Sequence, residues 1–169
     1  MKSFHTVRRA PIGRGFTLIE ILVVIGIIAV LATIVIVAIN PAKQFAQARN
    51  TQRTANVNSV LNAIGQRIAD NKGTFAGSFT IGTVTYTCGA LPMTSTRIDS
   101  TSGGTGFDMS CVVPTYIASL PTDPDTTYAV IPYIGYDVSV NAIGRVTVCA
   151  SRASVETSVP GSAAICVTR

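Results

Sequence analysis

The first long pattern in the chain is an apolar run close to its N-terminus. Residues 16–39 are apolar apart from four small or polar positions, Thr17, Glu20, Gly26 and Thr33. At about 1.5 Å rise per residue, a helix over this stretch is roughly 36 Å long and can cross a bilayer. The pattern therefore predicts a membrane-spanning helix over residues 16–40.

The charges that flank this run predict its orientation. Four basic residues precede it, and the next one, Lys43, follows it; the four are Lys2, Arg8, Arg9 and Arg14. Because positive residues are retained in the cytoplasm, we expect a cytoplasmic N-terminus and export of everything after Asn40. A secretory signal peptide fits less well, since its apolar part is usually about 7–15 residues long and ends at a small-residue cleavage site.

A second pattern follows, in which apolar residues recur at every third or fourth position. Five of them form one stripe: Val57, Val60, Leu61, Ile64 and Ile68. This spacing predicts an amphipathic helix over residues 41–72, and the stripe needs a sheet to cover it. The residues at 71–73, Asn-Lys-Gly, are typical of a helix stop, because Asn and Gly adopt the left-handed conformation readily.

Residues 73–169 alternate short β-rich runs with Gly, Ser, Thr and Pro. The runs predict strands at 79–87, 128–131, 133–140 and 145–150, a hairpin between the last two, an exposed loop at 100–106 and a turn at 120–124. We expect one β-rich globular head. The predicted fold class is α+β, with a long N-terminal helix, half membrane-spanning and half amphipathic, packed on a small antiparallel sheet.

Four cysteines lie in the part that we expect to be exported, where thiols are oxidised. They allow three pairings, of which we favour Cys88 with Cys111 and Cys149 with Cys166, because these close local loops. A zinc site is a weak alternative, since the sequence has no C-x-x-C pair and its single histidine, His5, precedes the apolar run.

Glu20 is the exception within the apolar run, because an ionised side chain in hydrocarbon costs a few kcal/mol and requires a partner. After a short basic leader, the sequence GFTLIE at residues 15–20 resembles the processing site of type IV prepilins and of the related type II secretion pseudopilins. The resemblance implies a pilin-like fold. It also implies that a prepilin peptidase cuts after Gly15, which removes residues 1–15, and that the new N-terminus at Phe16 is methylated.

The resemblance further implies that Glu20 acts in assembly. The amine of Phe16 on a neighbouring subunit would neutralise the carboxylate, and two unit charges about 4 Å apart gain about 4 kcal/mol at an effective dielectric constant near 20. Two alternatives stay open. Glu20 pairs with the amine of its own chain, or it extends to the cytoplasmic interface.

The function that the resemblance implies is that of a structural subunit of a type IV pilus-like filament. Its partners would be identical subunits, the prepilin peptidase and methyltransferase, the pilus assembly machinery and, before assembly, the membrane. The subunit would begin as a single-pass inner-membrane protein and end in an extracellular filament. Two other functions stay open, a type II secretion pseudopilin and a minor tip pilin that binds DNA or a surface ligand.

Composition favours neither an enzyme nor a nucleic-acid-binding protein. The net charge is +5, but four of the 13 basic residues lie in the leader, which leaves nine against eight acids after cleavage. His5 also lies in the leader, so the mature chain has no histidine for a Ser-His-Asp or Cys-His site. No Gly-rich phosphate loop joins a strand to a helix. We therefore expect no catalysis, no cofactor and no nucleic acid partner.

Calcium is a weaker alternative for three aspartates, Asp123, Asp125 and Asp137. They resemble the Pro-x-Asp-Pro turn and nearby Gly-Tyr of some pseudopilins that bind calcium. Asp-Pro is also an ordinary turn initiator, however, and calcium needs about six to eight oxygen ligands, which a sparse acidic stretch does not supply. We expect no metal site.

Overall fold

The computed structural model describes residues 15–169, so the predicted leader lies outside the described residues except for Gly15. The chain divides into two compact units, one that ends at Pro41 and one that spans Ala42–Arg169. Their internal structures are described separately below.

The first unit contains helix α1, Leu18–Ile39. Its mean hydropathy is 3.3, and among the described residues it is the one helix that is long and apolar enough to cross a membrane. All of its side chains are exposed. The helix ends where Asn40 takes the left-handed conformation, with φ of 47°, directly before Pro41.

The second unit begins with helix α2, Pro41–Asp70. Four residues of the predicted stripe are buried, and the fifth, Ile68, is half-buried and packs against them; the four are Val57, Val60, Leu61 and Ile64. Beyond the helix, Lys72 and Gly73 have φ of 55° and 91°. The backbone N–H of Gly73 donates to the carbonyl of Ile68 at 2.9 Å, which confirms the predicted helix stop.

Seven strands follow α2 and form two sheets. The first sheet is an antiparallel pair, β1 and β2, and the second has the order β4-β3-β5-β6-β7. All neighbours in the second sheet are antiparallel except β3 and β4, which are parallel. The strands are β1 Gly77–Ile81, β2 Val84–Cys88, β3 Thr96–Asp99, β4 Phe107–Asp108, β5 Tyr133–Val140, β6 Val146–Ala150 and β7 Ile165–Thr168. Two short 3-10 helices complete the unit, Ser110–Val112 and Ser151–Val155.

The hydrophobic core lies between the stripe of α2 and the five-stranded sheet. Strand β5 contributes Ile134, Tyr136 and Val138 to it, and β6 contributes Val146 and Val148. At roughly 1.5–3 kcal/mol for each large apolar side chain, burial of this set provides the main stabilisation of the unit. The architecture is α+β and pilin-like, with a long apolar N-terminal helix, a second helix and small sheets, as the sequence predicts.

The strand predictions are confirmed for 133–140 and 145–150 and for the hairpin that joins them. The prediction of one strand over 79–87 is wrong, because Gly82 turns the chain with φ of 61° and divides the run into β1 and β2. The prediction of a strand at 128–131 is also wrong. This segment forms turns, and its apolar side chains are largely exposed, because it has no neighbouring strand to pair with.

Candidate assembly site

The N-terminal end of the described chain is open on all sides. Gly15, Phe16 and Thr17 precede α1 in non-helical conformation, and the Phe16 side chain is 78% exposed. A Cβ at Gly15 would meet no atom within 4 Å. Nothing in the described fold therefore requires glycine at position 15, so a need for glycine there must come from outside the fold.

Thr17 and Glu20 form a capping box at the start of α1. The Thr17 hydroxyl accepts a hydrogen bond from the Glu20 backbone N–H at 3.3 Å, and the Glu20 carboxylate accepts one from the Thr17 N–H at 3.5 Å. The two bonds satisfy donors that an α-helix otherwise leaves unpaired at its start. The pattern Thr-x-x-Glu could have indicated this contact from the sequence, but it was missed.

The capping box does not neutralise the charge of Glu20. Both of its hydrogen bonds join the carboxylate to neutral groups within the same turn, and the side chain is exposed. A negative charge near a helix N-terminus gains only about 0.3–1 kcal/mol from the helix dipole. The local contacts therefore explain how the helix starts, while the carboxylate stays available to a cation.

The comparisons with known proteins bear on this end of the chain. Residues 13–36 match the family model described as the prokaryotic N-terminal methylation motif. The chain carries the prepilin-type signature of type IV pilins and pseudopilins. The match includes Gly15, Phe16 and Glu20 and ends within α1, so the prepilin-type signature says nothing of the Ala42–Arg169 unit. No curated protein and no solved structure matches the chain.

The structure pairs the four cysteines as Cys88–Cys111 and Cys149–Cys166. The first bond ties the end of β2 to the 3-10 helix Ser110–Val112. The second joins two residues that lie opposite each other on β6 and β7. These are the two pairs that the sequence analysis favours, and each closes a local loop.

The aspartates that were considered for calcium are bound by protein groups. Asp123 is 1% exposed, and its carboxylate accepts two hydrogen bonds from Arg53, each of 2.8 Å. Asp125 accepts hydrogen bonds from Thr127. Asp137 accepts one from the Ser151 hydroxyl at 2.7 Å. Among residues 15–169 no cluster of three or more His, Cys, Asp or Glu side chains could hold a metal ion.

The prediction of a turn at residues 120–124 missed the buried role of Asp123. The carboxylate does accept the backbone N–H of Asp125, as in an ordinary Asx turn. Its main partner, however, is the guanidinium of Arg53 on α2, which is fully buried. A buried bidentate pair of this kind anchors the segment before β5 to the helix.

Glu156 is the fourth member of a cluster of charged side chains whose other members are Arg53, Asp123 and Arg49. Its carboxylate accepts a hydrogen bond from Arg53 at 2.6 Å and two more from Arg49, which is partly exposed. The two hydrogen bonds from Arg49, followed by the one from Arg53, lower the pKa of Glu156 to about 2. The hydrogen bonds that Arg53 donates to Asp123, and then to Glu156, raise the pKa of Arg53. Arg53 and Glu156 therefore both carry charge at neutral pH.

We expect Asp123→Ala to destabilise the Ala42–Arg169 unit by about 3 kcal/mol, because it leaves one side of the buried Arg53 guanidinium without its carboxylate. Urea unfolding of the detergent-solubilised protein, followed by tyrosine circular dichroism, measures the change. The matched control is Asp70→Ala, which removes an exposed carboxylate at the end of α2 and should change the free energy by less than about 0.5 kcal/mol. Equal stability of the two variants would contradict the assignment.

The low pKa of Glu156 predicts a pH dependence of stability. Its pKa is about 2 in the folded protein against 4.5 in the unfolded chain, so the stabilisation is complete above pH 4.5 and is lost as the pH falls toward 2. Melting temperatures measured from pH 7 to pH 2 should therefore fall more steeply for the wild type than for Glu156→Gln. Parallel curves for the two proteins would show that Glu156 is not responsible.

Proposed function

We propose that the chain is the structural subunit of a type IV pilus-like filament. The observation that supports this most directly is the position of α1. The matched methylation motif covers residues 13–36. Helix α1 has 22 residues, all with exposed side chains, and begins at Leu18, so most of the helix lies inside the motif. An apolar surface of this size is not stable in water, so it requires lipid before assembly and other subunits afterwards.

In this proposal the precursor is cleaved between Gly15 and Phe16 and then methylated at Phe16. Cleavage exposes a backbone amine close to the start of α1, where Glu20 offers a carboxylate. A second subunit that is displaced along the helix axis can place its Phe16 amine beside this carboxylate, which offsets the cost of burying the charge in an apolar filament core. The partners are identical subunits, a prepilin peptidase and methyltransferase, and the assembly machinery.

The subunit changes its location during assembly. The precursor is a single-pass inner-membrane protein with a cytoplasmic N-terminus, and the assembled filament is extracellular. The role is structural rather than enzymatic. A type II secretion pseudopilin carries the same kind of signature, and the two are separated by abundance, because a pilus subunit dominates filaments sheared from the cell surface.

The processing step makes Gly15 the decisive residue. We expect Gly15→Leu to give a membrane-held precursor that is 15 residues too long and no filaments, because a side chain blocks the approach of the peptidase to the backbone. The fold offers no reason for this effect, since the position is open. Intact-mass spectrometry of membranes and sheared filaments measures both the length of the chain and the methyl group on Phe16.

The matched control for this experiment is Gly26→Leu, a substitution of the same size at an equally open position inside α1. It should leave cleavage unchanged. A correctly trimmed and assembled Gly15→Leu subunit would overturn the processing step. Cleavage that is lost in both variants would attribute the effect to α1 rather than to the cleavage site.

The two contacts of Glu20 can be separated by mutation. Glu20→Gln keeps a side-chain oxygen for the capping box but removes the charge, whereas Thr17→Ala removes the hydroxyl cap and keeps the charge. We expect Glu20→Gln to be inserted and cleaved at normal levels but to form no filaments. Thr17→Ala should still assemble, since losing a cap costs only about 1 kcal/mol. Immunoblots and filament counts by electron microscopy measure these outcomes.

The opposite outcome for Glu20→Gln and Thr17→Ala would contradict the proposed pairing. Normal filaments from Glu20→Gln together with loss of filaments from Thr17→Ala would show that Glu20 acts through the capping box. The proposed pairing with the Phe16 amine of a neighbour would then be wrong.

A further inference from the structure

Exposed apolar side chains lie together at the end of the Ala42–Arg169 unit where the chain enters it. They come from the first turns of α2, from the loop before β5 and from the second 3-10 helix. We refer to these five residues as the entry patch: Phe45, Tyr128, Val130, Ile131 and Val155. Apolar side chains grouped in this way mark a surface that lipid or another molecule covers.

The first turns of α2 are tied to the second 3-10 helix. Arg49 lies one turn beyond Phe45 and donates two hydrogen bonds to Glu156, the residue that follows Val155. Residues four positions apart project from the same face of a helix. Phe45 therefore lies on the side of α2 that faces the segment carrying Val155.

The loop before β5 is tied to the same 3-10 helix. Arg152 pairs with Asp125 at 3.8 Å, and its guanidinium lies over the ring of Tyr128. Val130 and Ile131 follow in this loop, and both side chains are exposed. Because the two charges offset each other, the ion pair adds no net charge to the entry patch.

The turn between β5 and β6 lies at the opposite end of the unit. Strand β5 begins at Tyr133, directly after the loop, and ends at Val140. Its eight residues, at about 3.3 Å per residue, separate the two ends by about 23 Å. The exposed Ile143 is in this turn, and its neighbour Gly144 lines the same surface groove as the second half of α2. The entry patch is therefore confined to the end at which α2 begins.

Helix α1 connects this end of the unit to the bilayer. The helix is long and apolar enough to cross a membrane, and it ends at Ile39, two residues before α2 begins at Pro41. Its 22 residues give a length of about 33 Å, and the hydrocarbon core of a bilayer is about 30 Å thick. When α1 spans the bilayer, Ile39 therefore lies at the edge of the hydrocarbon.

Phe45 stays near this edge at any angle between the two helices. It follows Pro41 by four residues of α2, which is about 6 Å along the helix axis, and Pro41 follows Ile39 by two residues. The chain therefore holds Phe45 within about 14 Å of the end of the span. Headgroups extend about 5–8 Å beyond the hydrocarbon on each side, and aromatic side chains are enriched there.

We propose that the entry patch is a lipid-binding surface, which lies in the headgroup region of the bilayer while the subunit is held in the membrane before assembly. This inference rests on the membrane-held precursor of the proposed function and adds a second lipid contact to the one that α1 makes. Burial of Val130 and Ile131 in the interface supplies the affinity. Attachment through both α1 and the entry patch restricts how the unit can turn on the membrane surface.

The first test measures the depth of single tryptophans in vesicles. The chain contains no tryptophan, so each substitution supplies the only reporter. The full-length variants Ile131→Trp, Ile143→Trp and Ile28→Trp are placed in vesicles of phosphatidylethanolamine and phosphatidylglycerol, with or without brominated acyl chains, which quench fluorescence. Ile131 and Ile143 are a matched pair, because their side chains are 78% and 80% exposed. Ile28 lies inside α1 and reports whether this helix enters the bilayer.

The expected order of quenching follows from depth. We expect brominated lipid to remove about half of the emission of Ile131→Trp, because apolar side chains at the interface lie about 5–10 Å deep. Ile28→Trp should be quenched more strongly, and Ile143→Trp hardly at all. The preference of tryptophan for interfaces is the same in Ile131→Trp and Ile143→Trp, so only the position of the residue separates them.

The second test measures thiol reactivity in the same vesicles. Ile131→Cys and Ile143→Cys each add one thiol to a chain whose four cysteines are paired in disulfides. A charged maleimide in the water should modify Ile131→Cys about tenfold more slowly than Ile143→Cys, because apolar surroundings disfavour the reactive thiolate. Units enclosed inside a vesicle are out of reach at both positions alike, so they do not affect the comparison.

Four results would overturn the lipid contact and leave the filament function standing. The first is an unquenched Ile131→Trp beside a quenched Ile28→Trp. The second is equal quenching of Ile131→Trp and Ile143→Trp, and the third is equal maleimide rates at the two positions. The fourth is a blue-shifted but unquenched Ile131→Trp that loses its shift when the protein is diluted in lipid, which would show that another copy covers the entry patch.

Failure of the proposed function has a different signature. An unquenched Ile28→Trp would show that α1 does not enter the bilayer. The membrane-held precursor would then be wrong, and the lipid contact of the entry patch would fail with it.

Discussion

The buried ion pair between Arg53 and Asp123 is the contact on which the arrangement of the Ala42–Arg169 unit depends. A fully buried guanidinium is tolerated only when its hydrogen bonds are satisfied. Arg53 meets that demand with the segment before β5 through Asp123 and with the segment after the second 3-10 helix through Glu156. One side chain of α2 thus fixes both segments. Strand β5 begins ten residues after Asp123, so its position depends on the same contact.

The apolar core alone would not fix the position of α2 along its own axis against the sheet. Its stripe of Val, Leu and Ile packs against the sheet with no directional bonds, so a shift by one turn would still bury apolar surface. Such a shift would leave Arg53 without its carboxylates. The ion pairs therefore select the register of the helix, while the core supplies most of the free energy.

Much of the fold could be predicted from the sequence because it depends on local patterns. The apolar run, the stripe of α2, the stop at Gly73 and the hairpin of β5 and β6 each have a period or a turn residue that can be read directly. Strands β3, β4 and β7 were missed because they have two to four residues, too few to show a period. The segment at 128–131 has the composition of a strand, but its pairing partner would have to come from elsewhere in the chain.

The residues of the candidate site could be predicted only where they lie close together in the sequence. The residues around Gly15 and Glu20 lie within six positions of one another, so a short motif indicates them. The partners of Arg53 lie 70 and 103 residues away, and no local signal joins them. The sequence indicates Asp123 through its turn but gives no sign of Glu156, because a single acid in a stretch rich in Ser and Thr is typical of solvent-exposed surface.

The bond between Cys149 and Cys166 has a consequence for how copies can associate. Strand β7 is at the edge of the sheet, and edge strands can leave their own sheet and insert into that of another copy. The disulfide joins β7 to β6 in fixed alignment, so β7 cannot be exchanged without breaking a covalent bond. This closes off the exchange of β7 alone between copies. Copies that meet through their surfaces therefore keep β7 in their own sheet and stay separate chains.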